Sequence, residues 1–140
     1  MFICIEMRVA MRTIKHSRQR DAIYDFLCSR KDHPTADMVY NNILREFPKI
    51  SLGTVYRNLS LLEELGQIQK ISCGDNCEHF DADISSHNHF YCRECKAVID
   101  IPMENIDFIE TLASNSFGGK IESHKTYFTG ICENCMNKKK

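Results

Sequence analysis

No apolar run in this 140-residue chain approaches the roughly 18 residues needed to cross a bilayer, which argues against a membrane-spanning helix. The opening stretch MFICIEMRVAM is apolar, but it carries Glu6 and Arg8 and lacks the apolar centre and cleavage pattern of a secretory leader. A cytoplasmic protein is expected, with Met7 and Met11 as alternative starts. Net charge is also scarce, at -1, a poor match for a uniformly basic nucleic-acid binder. Repeats and low-complexity segments are missing as well. Cysteine, by contrast, is plentiful. Without a secretion signal, the eight cysteines argue against a disulfide framework and turn attention to metal or redox chemistry.

The small net charge hides an uneven distribution. Residues 1–72 carry 11 Lys/Arg against 8 Asp/Glu, a balance of +3, whereas residues 73–140 carry 7 against 11, a balance of -4. A mildly basic module joined to an acidic one is the expectation. Each would be small, and domains of about 70 residues often need a metal or a partner chain to complete their core.

Along the first half, Ser17 can cap a helix to about Ser29, with Ala22, Ile23, Phe26 and Leu27 at helical spacing. Pro34 and Thr35 lead into a second helix with Val39, Ile43 and Phe47 on one side, ended by Pro48. Ser51 caps a third, with Leu52, Val55, Leu59, Leu62 and Leu65 inward and Gly66 as its stop. The segments IQKI and EHFD around the turn CGDN then read as a hairpin. Three helices followed by a hairpin predict a winged helix. On the polar face of its third helix, Thr54, Tyr56, Arg57 and Asn58 are the candidate DNA contacts, with Tyr56 and Arg57 foremost.

The second half predicts strands at HNHFY, AVIDI and KIESHKTYFTGI, and a helix from Glu104 to Asn115. The expected fold class is therefore α+β. It comprises a winged-helix domain over residues 1–82 (1–12 an N-terminal extension), a hinge at 83–87, and a small α/β dimerisation domain over 88–140. An apolar face shared with a second copy would complete this last domain, so a homodimer is expected. The closing lysines read as a solvated tail.

Cys92-Arg-Glu-Cys95 and Cys132-Glu-Asn-Cys135 have the spacing at which four thiolates converge on one Zn²⁺. Redox dithiols and iron–sulfur ligation are the alternatives, but a redox pair usually opens a helix in a thioredoxin-like layout that is missing here. A structural zinc, one per chain, is preferred. Spacing also pairs His87 with His89, two apart on a strand and so on one face.

The stretches HPTADMVY, SLGTVYRNL, HNHFYCREC, AVID and GICENC, in this order over residues 13–136, resemble the ferric uptake regulator (Fur) family, within it the peroxide-regulator (PerR) type. The resemblance implies a homodimeric winged-helix repressor that binds AT-rich palindromic operators when a regulatory metal is loaded. It assigns Cys92, Cys95, Cys132 and Cys135 to structural zinc. It assigns His33, Asp81, His87, His89 and Asp100 to a regulatory Fe²⁺ or Mn²⁺, whose nitrogen and oxygen donors suit those ions. Asp100 stands where iron-uptake regulators usually have Glu. In the peroxide type, Fe²⁺ reacts with H₂O₂, the histidines matching His33 and His87 are oxidised, and the repressor leaves DNA.

Two features depart from that pattern. Arg57 resembles iron-uptake regulators while Asn58 resembles peroxide regulators, and Cys73 and Cys77 flank the wing turn where the family has no known ligand. Exposed thiols are the default reading for that pair, and Cys28 is expected to be buried. His124 is a secondary metal-site candidate. The competing functions are an iron- or zinc-uptake regulator, a hydrolytic or peroxidase site, and a zinc-stabilised interaction module. An enzyme is not expected, because no independent nucleophile or general base accompanies the histidines.

Overall fold

The computed structural model describes residues 15–74, 77–104 and 106–139. Cys4, the alternative starts and the N-terminal extension lie outside the described residues. The chain divides between Ser85 and Ser86 into two compact units.

The first unit begins with helices α1 (Arg18–Cys28), α2 (Ala36–Ile43) and α3 (Leu52–Glu64). Each starts on a hydroxyl cap: Ser17 accepts from the Arg20 N–H, Thr35 from Met38 and Ser51 from Thr54. Apolar residues at helical spacing meet inside: Ile23, Tyr24 and Leu27 from α1, Val39 and Ile43 from α2, Val55, Leu59 and Leu62 from α3. Burying each side chain contributes roughly 1.5–3 kcal/mol. Helix α2 is shorter than its apolar pattern predicts. After Ile43 the chain tightens into i→i+3 bonds, Arg45 to Asn42 and Glu46 to Ile43, and Pro48 disfavours helix at Phe47. Helix α3 stops at Gly66, whose φ of +71° suits glycine, and Gln67 N–H bonds back to the Leu62 carbonyl.

The hairpin β1 (Gln69–Ser72) and β2 (Glu78–Asp81) follows, with Gln69 opposite Asp81 and Ser72 opposite Glu78. A single bridge joins Thr35 to His79, and Phe80 N–H donates to the Pro34 carbonyl at 3.0 Å. The start of α2 is thereby fastened to β2. Helices and wing together form a winged-helix region.

In the second unit, β3 (Asn88–Cys92) is the centre of a three-stranded sheet. Strand β4 (Val98–Ile101) pairs with it antiparallel, setting His89 opposite Asp100, and β5 (Tyr127–Gly130) pairs parallel, setting Cys92 opposite Gly130. Helix α4 (Phe108–Asn115) lies in the long connection from β4 to β5, and α5 (Glu133–Lys138) follows β5.

Three expectations shift here. Helix α4 starts at Phe108 rather than Glu104, strand β5 is limited to Tyr127–Gly130, and α5 was not anticipated. Lys139 is not simply solvated, since its Nζ lies 3.0 Å from Glu94 Oε1. The apolar spacing in α4 is real, yet none of its residues is buried. Phe108, Leu112 and Phe117 are 64%, 59% and 60% exposed. Exposed apolar side chains grouped in this way are common where a protein meets a partner. Among the described residues, no helix is long and apolar enough to cross a membrane.

Candidate metal centres

The loop after β3 and the first turn of α5 bring four cysteines together. Cys92 Sγ lies 3.9 Å from Cys135 Sγ, and Cys95 Sγ lies 3.8 Å from Cys132 Sγ. A disulfide would need about 2.05 Å. Four sulfurs on one ion at about 2.3 Å form a tetrahedron with edges of about 3.8 Å, and Zn²⁺ fits that spacing. Phe90 and Ile131 pack against Cys92, Cys132 and Cys135, while Cys95 is exposed. The tight turn is shaped by Lys96, at φ +64°, whose N–H returns to the Cys92 carbonyl.

The four thiols differ in acidity. Backbone N–H donation to the Cys92 sulfur, from Cys95 foremost, outweighs burial and lowers its pKa from the ordinary 9.0 to about 6. Cys135 is pushed up to about 12 by the neighbouring Cys132 thiol and by burial. One thiolate therefore forms readily, while the last resists until a cation offsets the accumulated charge. Cys92's contribution to stability is present above its ordinary value and fades as pH falls through about 6; the raised Cys135 value acts oppositely at alkaline pH. Because zinc must displace the protons of four thiols, bound zinc should fall as pH drops from about 7.5 to about 5, read by a chromogenic chelator in excess. Zinc held equally well at both pH values would contradict this.

The histidines and aspartates form a group in each unit. In the second, β3–β4 pairing brings His89 Nε2 within 3.3 Å of Asp100 Oδ1, and His87 Nε2 reaches the same oxygen at 3.2 Å. The two imidazole centroids are 4.4 Å apart. Donor separations near 3.2 Å match adjacent ligands on an ion with bonds of about 2.1 Å. In the first unit, His33 Nδ1 lies 3.3 Å from Asp81 Oδ2, with the side chains only 1% and 5% exposed. Asp81 Oδ1 accepts from Asp83 N–H, which fixes the carboxylate with its other oxygen toward His33. A buried carboxylate beside an imidazole is a natural cation site.

His33 occupies an unusual backbone state, φ +51°, directly before Pro34. Such a conformation in a non-glycine residue costs on the order of 1–3 kcal/mol. His79 was missed by motif reading. It is buried on β2, and its Nδ1 lies 2.9 Å from the His33 carbonyl. The available signal was EHFD, which sets His79 two residues from Asp81 on a strand, the same alternation that marked His87 and His89.

Of the candidate DNA contacts, Tyr56 and Arg57 are exposed on α3. Arg57 Nη2 donates to Thr54 Oγ1 at 2.9 Å, and Asn58 Nδ2 donates to the Thr54 carbonyl. Cys77 is exposed, but Cys73 is buried, so the exposed-thiol default holds for one member only. Cys28 is half-buried, at the edge of the helical core rather than within it. His124 Nδ1 meets Glu110 Oε1 at 3.0 Å.

Candidate metal-binding groups of two donor types, in a chain that also carries a winged-helix region, fit a metal-responsive DNA-binding regulator. The ferric uptake regulator family matches residues 11–129. The peroxide operon regulator of Bacillus subtilis (strain 168) is 33% identical over 138 residues, 95% of this chain and 95% of that protein. Among solved structures, the Campylobacter jejuni peroxide stress regulator is 27% identical at a TM-score of 0.67, covering 84% of this chain and 88% of its own. The Helicobacter pylori ferric uptake regulator shares the fold at a TM-score of 0.78 and 20% identity, over 96% of this chain and 91% of its own. The chain belongs to the ferric uptake regulator family, in its peroxide-regulator type. Family membership makes it a DNA-binding transcriptional regulator and not an enzyme, and its fold implies dimerisation.

Proposed function

We propose that this chain is a peroxide-sensing repressor whose regulatory Fe²⁺ or Mn²⁺ is held by His33, Asp81, His87, His89 and Asp100. The observation that carries the reading is the convergence of His87 and His89 Nε2 on one oxygen of Asp100. The His33–Asp81 pair supplies the same donor types from the first unit. Residues 1–82 would bind DNA, 83–87 would act as the hinge, and 88–140 would dimerise. Ligands drawn from both sides of that hinge would couple metal occupancy to DNA-binding competence. The four cysteines would hold zinc and keep β3, which presents His89, in register.

Bound Fe²⁺ would activate the O–O bond of H₂O₂ beside the imidazoles, with no net change in the iron. His33 or His87 would be positioned to gain one oxygen at a ring carbon while losing two electrons to the peroxide, whose other oxygen leaves as water. A ring so modified is a poorer donor, so the ligand set fails and the dimer leaves its AT-rich palindromic operator. The exposed apolar side of α4 supports a second copy as partner.

Arg57 favours a second reading, an iron- or zinc-uptake regulator with the same machinery. Mass spectrometry after Fe²⁺ loading and a low dose of H₂O₂ separates the two. One added oxygen on the peptides carrying His33 or His87, together with loss of operator binding, is expected. Reversible metal release without oxidation would sink the peroxide reading.

A further inference from the structure

We propose that His79 is a positioning residue for the His33 half of the regulatory site: its ring N–H, donated to the His33 carbonyl, holds the backbone turn that aims the His33 imidazole at Asp81. The inference rests on the reading above, that His33 and Asp81 are ligands. It starts from a conflict in the local chain. A residue before proline favours extended backbone, and a side chain with a Cβ disfavours positive φ. His33 precedes Pro34 and sits at φ +51°. Something outside the loop must hold it there.

Backbone bonds do part of this. Phe80 N–H takes the Pro34 carbonyl, and Thr35 bridges His79, so the chain is pinned from Pro34 onward. Neither contact reaches the peptide between His33 and Pro34. The orientation of that peptide is set at its carbonyl, which His79 Nδ1 meets at 2.9 Å. A carbonyl can only accept, so His79 must carry its proton on Nδ1. Both partners are buried, with His33 2% and His79 6% exposed, and water is a poor substitute donor there. With the carbonyl held, His33 Nδ1 stands 3.3 Å from Asp81 Oδ2. With it released, the imidazole can swing with its backbone.

His79 and Asp81 thus lie two apart on β2, one steering a ligand and the other serving as one. Orienting groups of this kind typically change metal affinity on the order of ten- to a hundredfold when removed.

The test compares zinc-loaded natural protein with His79→Leu, His79→Asn and His87→Ala by Mn²⁺ titration. His79→Leu removes the donor and should weaken Mn²⁺ on the order of ten- to a hundredfold. His79→Asn places an amide N–H near the position of Nδ1, and affinity should return to within about threefold of the natural chain. After Fe²⁺ and H₂O₂, the share of added oxygen on the His33 peptide, relative to His87, should fall in the Leu variant and recover in Asn. Natural affinity in His79→Leu, or equal loss in both variants, overturns the inference. If the Leu variant fails to fold, as its melting curve will report, the Asn variant alone decides: natural-like affinity and oxidation pattern support the inference, and their loss overturns it. If His87→Ala binds Mn²⁺ as tightly as the natural chain, the regulatory reading itself falls and this inference with it.

Discussion

Cys132→Ala is expected to unfold the C-terminal unit. Among its described residues the buried apolar side chains are few: Tyr91, Val98 and the cysteines Cys92, Cys132 and Cys135 themselves. Helix α4 adds no buried residue. A core this small falls well short of the conformational entropy of more than fifty residues. A structural zinc on four thiolates contributes on the order of 10–16 kcal/mol, comparable to the whole stability of an ordinary domain. The residue 132 N–H, which donates to Cys92 Sγ at 3.3 Å, is retained in the alanine variant, so the change removes the thiolate ligand alone. The measurable outcome is loss of bound zinc, rapid proteolysis beyond Ser86 and loss of the dimer in size-exclusion chromatography. A variant that stays dimeric and protease-resistant without zinc would show that packing alone holds this unit.

The double change Tyr56→Ala with Arg57→Ala should abolish most operator binding while sparing the fold. Both side chains are exposed, whereas the residues that anchor α3 are Val55, Leu59 and Leu62. A single good arginine contact to a base or phosphate is worth about 1–3 kcal/mol, and an aromatic contact adds to it, so a loss on the order of a hundredfold or more is expected. The salt dependence should flatten by about one unit of slope if Arg57 meets a phosphate. Unchanged affinity for an AT-rich palindrome, with unchanged melting, would remove α3 from the DNA interface.

Local signals accounted for much of this molecule. Ser17, Thr35 and Ser51 announced three helix starts, Gly66 a helix end, and the spacing of Val55, Leu59 and Leu62 an inward face. Each is a property of a few neighbouring residues, so periodicity and hydrogen-bonding chemistry suffice to read it. The two CxxC pairs were legible for the same reason, because each spacing lets two sulfurs converge on one ion. Where neighbours compete, local reading failed. Pro48 and tightened turns cut α2 short, and β5 covers only four residues of a longer β-like stretch because only those find a partner in β3.

The residues themselves carried the four-thiolate site and the His87/His89 pair, since ligand spacing along one chain segment is a covalent fact. Folding alone could bring Asp100 across to His89, because strand register is a choice among pairings that composition leaves open. It also brought Asp81 beside His33, 48 positions away in sequence, and set the His79 ring on the His33 carbonyl. A positive φ at His33 runs against the local preferences for negative φ and for extended backbone before a proline. It persists because contacts from a distant strand outweigh those preferences, and contacts of that kind exist only once the chain has folded.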